Sequence, residues 1–203
     1  MFHHIPQPSQ ERMAYLEARD SRDREDGTPR SQRLRQIPPA TGRFIALMAA
    51  AAPPGQILEV GTSAGYSSLW LGLACRARGG RLITFEVMED KAARARETFA
   101  RAGLDEAIQL VHGDALEHLP AYERISFCFL DIEKELYPAC YELVLPRLVP
   151  GGLLLADNFT SHAAELQPLL TRILADNRLD ALVVPIGKGV LVGRLSGVIA
   201  RRA

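Results

Sequence analysis

QILEVGTSAGYSSLW, residues 56–70, joins an apolar run to a helical pattern through a short turn between two glycines. The apolar run ILEV predicts a buried strand that ends at Gly61. The segment SAGYSSLWLGLACRA, residues 63–77, has the periodicity of a helix, and Gly79 and Gly80 then stop it. A strand, a tight turn and a helix in this order are typical of an α/β sheet.

The same pattern repeats along the chain. Further strands are predicted for RLITFE (81–86), IQLVHGD (108–114), ISFCFLD (125–131) and GLLLADN (152–158), and a helix through residues 133–149 is expected to end at Pro150 and Gly151. Apolar strands that alternate with helices indicate a mostly parallel sheet with helices on both faces. ALVVPI and GVLVGRL flank residues 187–189, a gap too short for a parallel crossover, so we expect an antiparallel C-terminal hairpin.

Composition narrows the class of protein. The chain has 203 residues, which suits one domain, and it carries 24 basic and 24 acidic residues. A nucleic-acid partner is not expected, because such proteins usually show a basic excess. No apolar run approaches the ~20 residues of a membrane span. Cys75, Cys128 and Cys140 show no CxxC spacing, which favours a reducing compartment and a cytoplasmic protein.

The N-terminal segment differs from the rest of the chain. Residues 1–42 include the charge-dense stretch SQERMAYLEARDSRDRED, and residues 43–203 carry the α/β pattern. We predict that the first segment is a solvated helix that caps the domain or meets a partner chain. A lid over the active site is the functional alternative.

Each predicted parallel strand brings an acid to the same edge of the sheet. The acids are Glu59, Glu86, Asp114, Asp131 and Asp157. One such acid is readily explained as a helix N-cap, but five in succession are not. In open α/β sheets, ligands bind beyond the carboxyl ends of the strands. We therefore expect the ligand site at this edge.

The turn from Gly61 to Gly65 lacks the third glycine of a dinucleotide fingerprint. This spacing suits a ligand without a pyrophosphate. Glu86 is placed to accept hydrogen bonds from ribose hydroxyls, and Asp114 to meet an adenine amino group. A nucleoside cofactor without phosphates, S-adenosylmethionine, is the predicted occupant.

Asp131, Asp157 and Asn158 offer oxygen ligands from two neighbouring strand ends. Oxygen ligands alone favour Mg²⁺, with Mn²⁺ or Ca²⁺ as alternatives. The competing interpretation is that Asp157 caps the next helix and Asn158 forms a turn.

Lys134 follows Asp131 by three residues, so it shares a helical face with it and is a candidate general base. Alternatively, Lys134 is an exposed helix lysine.

Several of these stretches together resemble the cation-dependent class I O-methyltransferases, the family of caffeoyl-CoA and catechol O-methyltransferases. They are QIPPATGRF, ILEVGTSAGYSS, AGLDEAIQLVHGDALEHLP, FLDIEKELYPACYELVLPRLVPGGLLLADN and PIGKGVLVGRL. The resemblance runs from about Gln36 to Arg194. It implies a seven-stranded Rossmann-like sheet with a reversed last strand, and commonly a homodimer.

The resemblance also implies site residues. Gly61, Ser63, Ser67, Glu86, Asp114 and Ile37 would contact the cofactor, to which we add Glu59, Thr62, Gly65 and Asp131 from the same strand ends and turn. Asp131, Asp157 and Asn158 would hold the metal, with Lys134 as the base. The chain departs from the family pattern in DIEK (131–134), in the short stretch FTSHAAELQP (159–168), at Lys188 in place of an acid, and in its N-terminal segment. These departures bear on the choice of acceptor.

The predicted activity is methyl transfer from S-adenosylmethionine to a catechol or related phenol with two adjacent hydroxyls. A nicotinamide dehydrogenase is disfavoured by the missing glycine. A methyltransferase of RNA or protein would need a basic face or an aromatic substrate motif. A non-catalytic S-adenosylmethionine-binding protein would have no use for Asp131, Lys134, Asp157 and Asn158 together.

Overall fold

Strands and helices alternate in the computed structural model, which describes residues 2–29 and 32–197. The strands are β1 (Gln56–Val60), β2 (Leu82–Glu86), β3 (Ile108–His112), β4 (Ile125–Leu130), β5 (Leu148–Ala156), β6 (Leu179–Val184) and β7 (Val190–Leu195). The α-helices are α1 (Gln7–Glu25), α2 (Pro39–Ala51), α3 (Tyr66–Ala77), α4 (Glu89–Ala102), α5 (Ala115–His118), α6 (Tyr137–Val144) and α7 (Ala163–Ala175). Within these described ranges, no helix is long and apolar enough to cross a membrane.

The seven strands form one sheet in the order β3-β2-β1-β4-β5-β7-β6. Strands β1 to β5 pair in parallel, and β7 runs antiparallel to both β5 and β6. This confirms the predicted mostly parallel sheet with an antiparallel C-terminal hairpin. The chain moves outward in one direction from β1 to β3 and then in the other from β4. The switch between β1 and β4 opens the crevice in which such sheets bind ligands.

Both faces of the sheet are covered, which explains the apolar strands. All six residues of β4 are buried. Phe127 and Phe129 enter the core on one face, whereas Cys128 and Leu130 enter the core on the other. This alternation follows from the two-residue repeat of a strand. Cys128 packs as a small apolar side chain, and its burial raises the pKa of its thiol.

The N-terminal helix α1 is part of the core. Met13 and Leu16 are buried in the same cluster as the helices of one sheet face. Ser9 Oγ donates to the Ala102 carbonyl of α4 at 2.9 Å. Helix α2 begins at Pro39, where a proline is well tolerated in the first turn. The predicted boundary between residues 42 and 43 therefore falls inside a helix, and the solvated face is only one side of α1.

The segment before β5 differs from the prediction. The expected helix through residues 133–149 is shorter, because α6 ends at Val144 and a 3-10 turn covers Leu145–Arg147. Strand β5 begins at Leu148, so Pro150 and Gly151 lie inside it. Its register against β4 shifts between Ile125 and Phe127, which indicates a bulge. A bulge admits a proline because the ladder hydrogen bonds are already interrupted there.

Candidate active site

A cavity of about 530 Å³ lies at the carboxyl ends of the parallel strands. Its walls are the loops that follow β1 to β5, together with the chain before α2. Most of the predicted site residues line it: Ile37, Gly61, Thr62, Ser63, Ser67, Glu86, Asp114, Asp131, Lys134 and Asn158. Of the five predicted acidic strand ends, Glu86, Asp114 and Asp131 line this cavity, and Glu59 and Asp157 do not.

The loop between β1 and α3 approaches β4 closely. Gly61 has a φ of 101°, and a Cβ there would collide with the Asp131 carbonyl. Only glycine meets both conditions without strain. The backbone N–H groups of Gly61 and Thr62 donate to the Phe85 carbonyl at 3.0 and 3.1 Å. The loop is therefore held against β2 and β4, where it forms the floor of the cavity.

Glu86 joins the ends of β1 and β2. Its side chain is 7% exposed. Ser63 N donates to Oε2 at 2.7 Å, and Met88 N donates to Oε1 at 3.0 Å. Each carboxylate oxygen can accept a further hydrogen bond. The carboxylate is thus fixed by the backbone while it still faces the cavity as an acceptor.

Two predicted cofactor residues are not on the cavity wall. Glu59 is fully buried behind the loop, and Oε2 accepts hydrogen bonds from Ser68 and from Thr84, the latter at 2.7 Å. Glu59 and Thr84 are register partners on β1 and β2. Burial raises the Glu59 pKa to about 7. Gly65, at φ 91°, faces the Phe99 ring and turns the chain into α3. Glu59 and Gly65 therefore support the β1–α3 loop from the side that faces away from the cavity.

Asp114 lies on the cavity wall and also caps a helix. It is the N-cap of α5, and its side chain accepts a hydrogen bond from Leu116 N at 2.9 Å. The residue is exposed, so one carboxylate can serve both the helix and a ligand. The N-cap interpretation and the cofactor prediction are compatible at this position.

Asp131, Asp157 and Asn158 meet where β4 and β5 end. Asn158 Nδ2 donates to Asp131 Oδ1 at 2.9 Å, and Asn158 has a φ of 73°. Helix α7 begins only at Ala163, with His162 at its N-cap. The alternative in which Asp157 caps this helix is therefore wrong.

The Asp157 carboxylate is buried, and the charges of Lys188 and Lys134 offset the cost of its burial only in part. The residue is 0% exposed, and neither oxygen has a hydrogen-bond partner within the described chain. Burial, and then the charge of Asp131, raises the pKa of Asp157 above its ordinary value. A buried carboxylate in this state is costly unless a cation or donor joins it.

The donor set at this point suits a hard divalent cation. It consists of two carboxylates and one amide oxygen, the ligand type that Mg²⁺ and Ca²⁺ prefer. Across residues 2–29 and 32–197, no three His, Cys, Asp or Glu side chains form a metal-ligand cluster. A cation here would consequently depend on Asn158 as well as on Asp131 and Asp157.

Lys134 lies beside these residues and is largely buried. Its side chain is 10% exposed, so the alternative of an exposed helix lysine is wrong. Nζ is 3.4 Å from Asp131 Oδ1, 2.6 Å from the Ile132 carbonyl and 3.0 Å from the Tyr137 hydroxyl. Sequence reasoning missed Tyr137, although its spacing of three residues from Lys134 was a usable signal.

Residues 21–195 match the family described as O-methyltransferase. The chain belongs to the O-methyltransferase family. Two catechol O-methyltransferases are among its relatives. The one from Mycobacterium tuberculosis is 32% identical over 70% of this chain and 70% of its own length. The one from Niastella koreensis is 35% identical over 60% of this chain, and the match spans only 57% of that relative.

Solved structures of O-methyltransferases share the fold. The enzyme from Bacillus cereus, determined in complex with SAH, has a TM-score of 0.77 and 25% identity, and the match covers 95% of this chain and 93% of that one. A methyltransferase from Geobacter sulfurreducens has a TM-score of 0.73 over 91% of this chain and 90% of that one, at 23% identity.

In this O-methyltransferase, the chain before α2 forms one wall of the cavity. Leu34, Arg35, Gln36 and Ile37 all line it. The Leu34 carbonyl accepts a hydrogen bond from Ser63 Oγ at 3.0 Å, and Arg35 forms an ion pair with Glu133 at 2.6 Å. These contacts connect the N-terminal segment to the loops after β1 and β4. Residues 34–37 of this segment line the cavity and no residue of α1 does, and a lid function stays a prediction.

Two further cavity residues come from the C-terminal half. Lys188, in the turn between β6 and β7, and His162, before α7, line the same wall as Asn158. The sequence identified Lys188 as a departure that bears on the choice of acceptor, but neither residue was among the predicted site residues. The antiparallel placement of β7 beside β5 brings the turn to this edge of the sheet.

Proposed function

We propose that this O-methyltransferase transfers a methyl group from S-adenosylmethionine to one hydroxyl of a small catechol-like phenol, with the help of a divalent cation. The observation that carries the proposal is the Asp157 carboxylate, which is fully buried and unpaired within the described residues. It adjoins Asp131 and Asn158, which open onto the same cavity as Glu86. One end of the cavity suits a nucleoside, and the other suits a cation and two adjacent oxygens.

The donor binds at the end formed by β1, β2 and β3. When bound, S-adenosylmethionine supplies an electrophilic methyl group on a sulfonium. Glu86 accepts hydrogen bonds from the ribose hydroxyls, and Asp114 meets the adenine amino group. Ser63, held by Glu86 and Leu34, keeps the loop in the shape that the donor requires. Ile37 closes the wall and limits access of water.

The acceptor binds at the end formed by β4 and β5. Asp131, Asp157 and Asn158 would hold the cation, and their all-oxygen ligands suit Mg²⁺, with Mn²⁺ or Ca²⁺ as alternatives. A divalent cation there would lower the pKa of a phenol hydroxyl and fix its orientation. The two carboxylates balance the charge of such an ion, which explains why an otherwise unfavourable buried Asp157 is retained.

Lys134 is the general base in this proposal. Its amine takes the proton of the acceptor hydroxyl, while the oxygen forms a bond to the methyl carbon and the carbon–sulfur bond of the donor breaks. S-adenosylhomocysteine and the methyl ether leave, and the proton passes from Lys134 to solvent. The contacts to Ile132 and Tyr137 fix the amine at the edge of the cavity. Positioning supplies much of the acceleration, because the reacting atoms are already held in line.

The test is a methyl-transfer assay with catechols, flavonoids and hydroxylated acids, with Mg²⁺ and with excess EDTA. We expect turnover only with the cation. Asp157→Asn should lose cation-dependent turnover yet retain donor binding by calorimetry. Asp180→Asn is the matched control, since Asp180 is an exposed residue of β6. Full activity in EDTA, or failure of the wild-type protein to bind the donor, would overturn the proposal.

Assembly and location remain predictions. A homodimer, implied by the family resemblance, is tested by sedimentation velocity of the full chain. A cytoplasmic location is consistent with three free, buried cysteines and is tested by fractionation of cells that express the protein. A single sedimenting species with the mass of one chain would contradict the homodimer.

A further inference from the structure

Lys188 brings a positive charge to the acceptor end of the cavity. We propose that it binds an anionic substituent of the acceptor, so that the preferred substrates are catechols that carry a carboxylate. This inference rests on the proposed function, which it narrows from catechol-like phenols in general to acidic ones. Four sets of observations support it: the rigidity of the turn, the position of its side chain, the partners of the surrounding charges and the charge balance at the cation site.

The backbone around Lys188 is held in place from two sides. The Lys188 carbonyl accepts hydrogen bonds from Thr160 N at 2.9 Å and Ser161 N at 3.1 Å, and the Gly189 carbonyl accepts one from Phe159 N at 2.9 Å. The turn between β6 and β7 is thus joined to the loop that follows Asn158. A rigid backbone of this kind reduces the entropy that is lost when a side chain engages a ligand.

The two flanking glycines explain how the turn comes so close. Gly187 has a φ of 58° and Gly189 a φ of 84°. A Cβ at Gly187 would collide with Thr41 of α2, and one at Gly189 would collide with Thr160. Both glycines allow a backbone approach that other residues would prevent. Lys188 lies between the two glycines, and it lines the cavity.

The position of Lys188 separates it from the donor. It reaches the cavity from the β6–β7 turn, next to the loop that carries Asn158 and His162. The other cavity lysine without a hydrogen bond or ion pair in the described chain is Lys91, which lies on α4 directly after β2 and therefore at the donor end. Lys188 is consequently placed to meet the acceptor.

Two charged groups near the acceptor end have close ionic partners, whereas Lys188 acts on the buried Asp157 only beyond ion-pair distance. Lys134 contacts Asp131, and Glu133 pairs with Arg35. Lys188 Nζ, by contrast, has no hydrogen bond and no carboxylate within 4.0 Å among the residues that the structure describes, and its residue is only half-buried. Glu165, the acid of the first turn of α7, is exposed and makes no ion pair with it.

Without a cation, the charge of Lys188 acts on the buried Asp157 carboxylate, and a filled cation site would neutralise that carboxylate. Asp131 and Asp157 together carry two negative charges, which a divalent cation would balance. The ammonium of Lys188 then faces the acceptor without a fixed counter-charge. A carboxylate on the acceptor provides that charge, and a hydrogen bond between charged groups is stronger than one between neutral groups.

The experiment compares three acceptors that differ in one substituent: 3,4-dihydroxybenzoate, neutral catechol and dopamine, which carries an ammonium. We expect the wild-type protein to prefer the benzoate. Lys188→Met should lower kcat/KM for the benzoate roughly 10- to 100-fold, the range for a lost charged hydrogen bond. The loss should appear mainly as a higher KM. Turnover of neutral catechol should change by no more than about twofold, as expected where that contact is absent.

Two controls separate binding from folding. Lys188→Arg keeps the charge and should retain the preference for the benzoate, and Lys91→Met should leave that preference unchanged. Calorimetric binding of 3,4-dihydroxybenzoate to the Mg²⁺-loaded protein, without methyl donor, gives a readout that is independent of turnover. If Lys188→Met melts at a lower temperature than wild type, Lys188→Gln replaces it.

The outcomes distinguish this inference from the proposed function. Absence of methyl transfer to every acceptor would overturn the proposed function itself. Turnover of neutral catechol without any preference for the benzoate, or an equal loss on all three acceptors in Lys188→Met, would overturn the role of Lys188 and leave the proposed function standing.

Discussion

The Tyr137 hydroxyl lies 3.0 Å from Lys134 Nζ, and it is also 3.2 Å from the carbonyl oxygens of Leu130 and Asp157. Its single proton can be donated to either carbonyl or shared between them, while the oxygen accepts a hydrogen bond from the amine. Tyr137 is fully buried, so its ring cannot easily move. The candidate base is therefore held by a residue that itself is fixed to the ends of β4 and β5.

Replacing Tyr137 with Phe should weaken this positioning without a large change in volume. We expect kcat to fall roughly 10-fold or more, because a hydrogen bond to a charged or reacting amine is lost. The KM for the methyl donor should change little, since Tyr137 is not a cavity-lining residue. Steady-state kinetics on neutral catechol checks this, and Tyr122→Phe, at a half-buried tyrosine outside the cavity lining, is the control. Equal kcat values for Tyr137→Phe and wild type would contradict a positioning role.

Asp157 should make the cation-free protein less stable than its neutral variant. Its buried, unpaired carboxylate is an unfavourable charge. We expect Asp157→Asn to melt at or above the wild-type temperature in EDTA. Mg²⁺ should stabilise the wild type, but not Asp157→Asn, by about 2.7 kcal/mol when the ion is at 100 times its Kd. Thermal melting with and without Mg²⁺ measures both effects.

The same melting series includes Asp180→Asn as the control, because this exposed residue lies on β6. It should respond to Mg²⁺ as the wild type does. An equal response of Asp157→Asn and wild type to the ion would show that Asp157 is not a ligand.

Glu86 should determine donor affinity. Its two oxygens accept hydrogen bonds from Ser63 N and Met88 N, and an amide in its place can accept at only one of them. We expect Glu86→Gln to raise the Kd for S-adenosylhomocysteine roughly 10- to 100-fold. Calorimetry gives the Kd. Glu106→Gln, at an exposed position before β3, is the control and should bind as the wild type does.

Because of Glu59, the free energy of unfolding should fall as the pH rises. Burial raises its pKa from 4.5 to about 7 in the folded protein, so between these values the folded state holds a proton that the unfolded state has released. The contribution of Glu59 to the free energy of unfolding is fully present below about pH 4.5 and is lost as the pH rises through 7. Glu59→Gln removes this titration.

Relative to wild type, Glu59→Gln should gain on the order of 2 kcal/mol of unfolding free energy between pH 5 and pH 8. Urea denaturation at both pH values measures the difference. Glu117→Gln, at an exposed residue of α5, is the control and should follow the wild-type profile. Parallel pH profiles for Glu59→Gln and wild type would contradict the prediction.

The local sequence pattern was sufficient to predict the strands and the acids at their carboxyl ends. The apolar runs predicted every strand of the sheet, although β5 begins before the expected Gly152. Chain direction explains why Glu86, Asp114 and Asp131 share one edge, since parallel strands present their carboxyl ends together. The bulge in β5 was missed because its interrupted register depends on pairing with β4.

Other features depended on which segments pack together. Local spacing could not distinguish Glu59, which faces Thr84 in the interior, from Glu86, which faces the cavity. It also could not place Lys188, because that residue reaches the site only after β7 inserts beside β5.

The sequence by itself determined the alternating elements, the acidic ends of the parallel strands and the oxygen-only set at Asp131, Asp157 and Asn158. Periodicity and chain direction are local properties, so they can be read without knowing any long-range contact. Only the tertiary structure decided that the Asp157 carboxylate is unpaired, that Tyr137 supports Lys134 and that residues 34–37 form a cavity wall. Burial and hydrogen-bond partners arise from segments distant in the chain, and their energies depend on that packing.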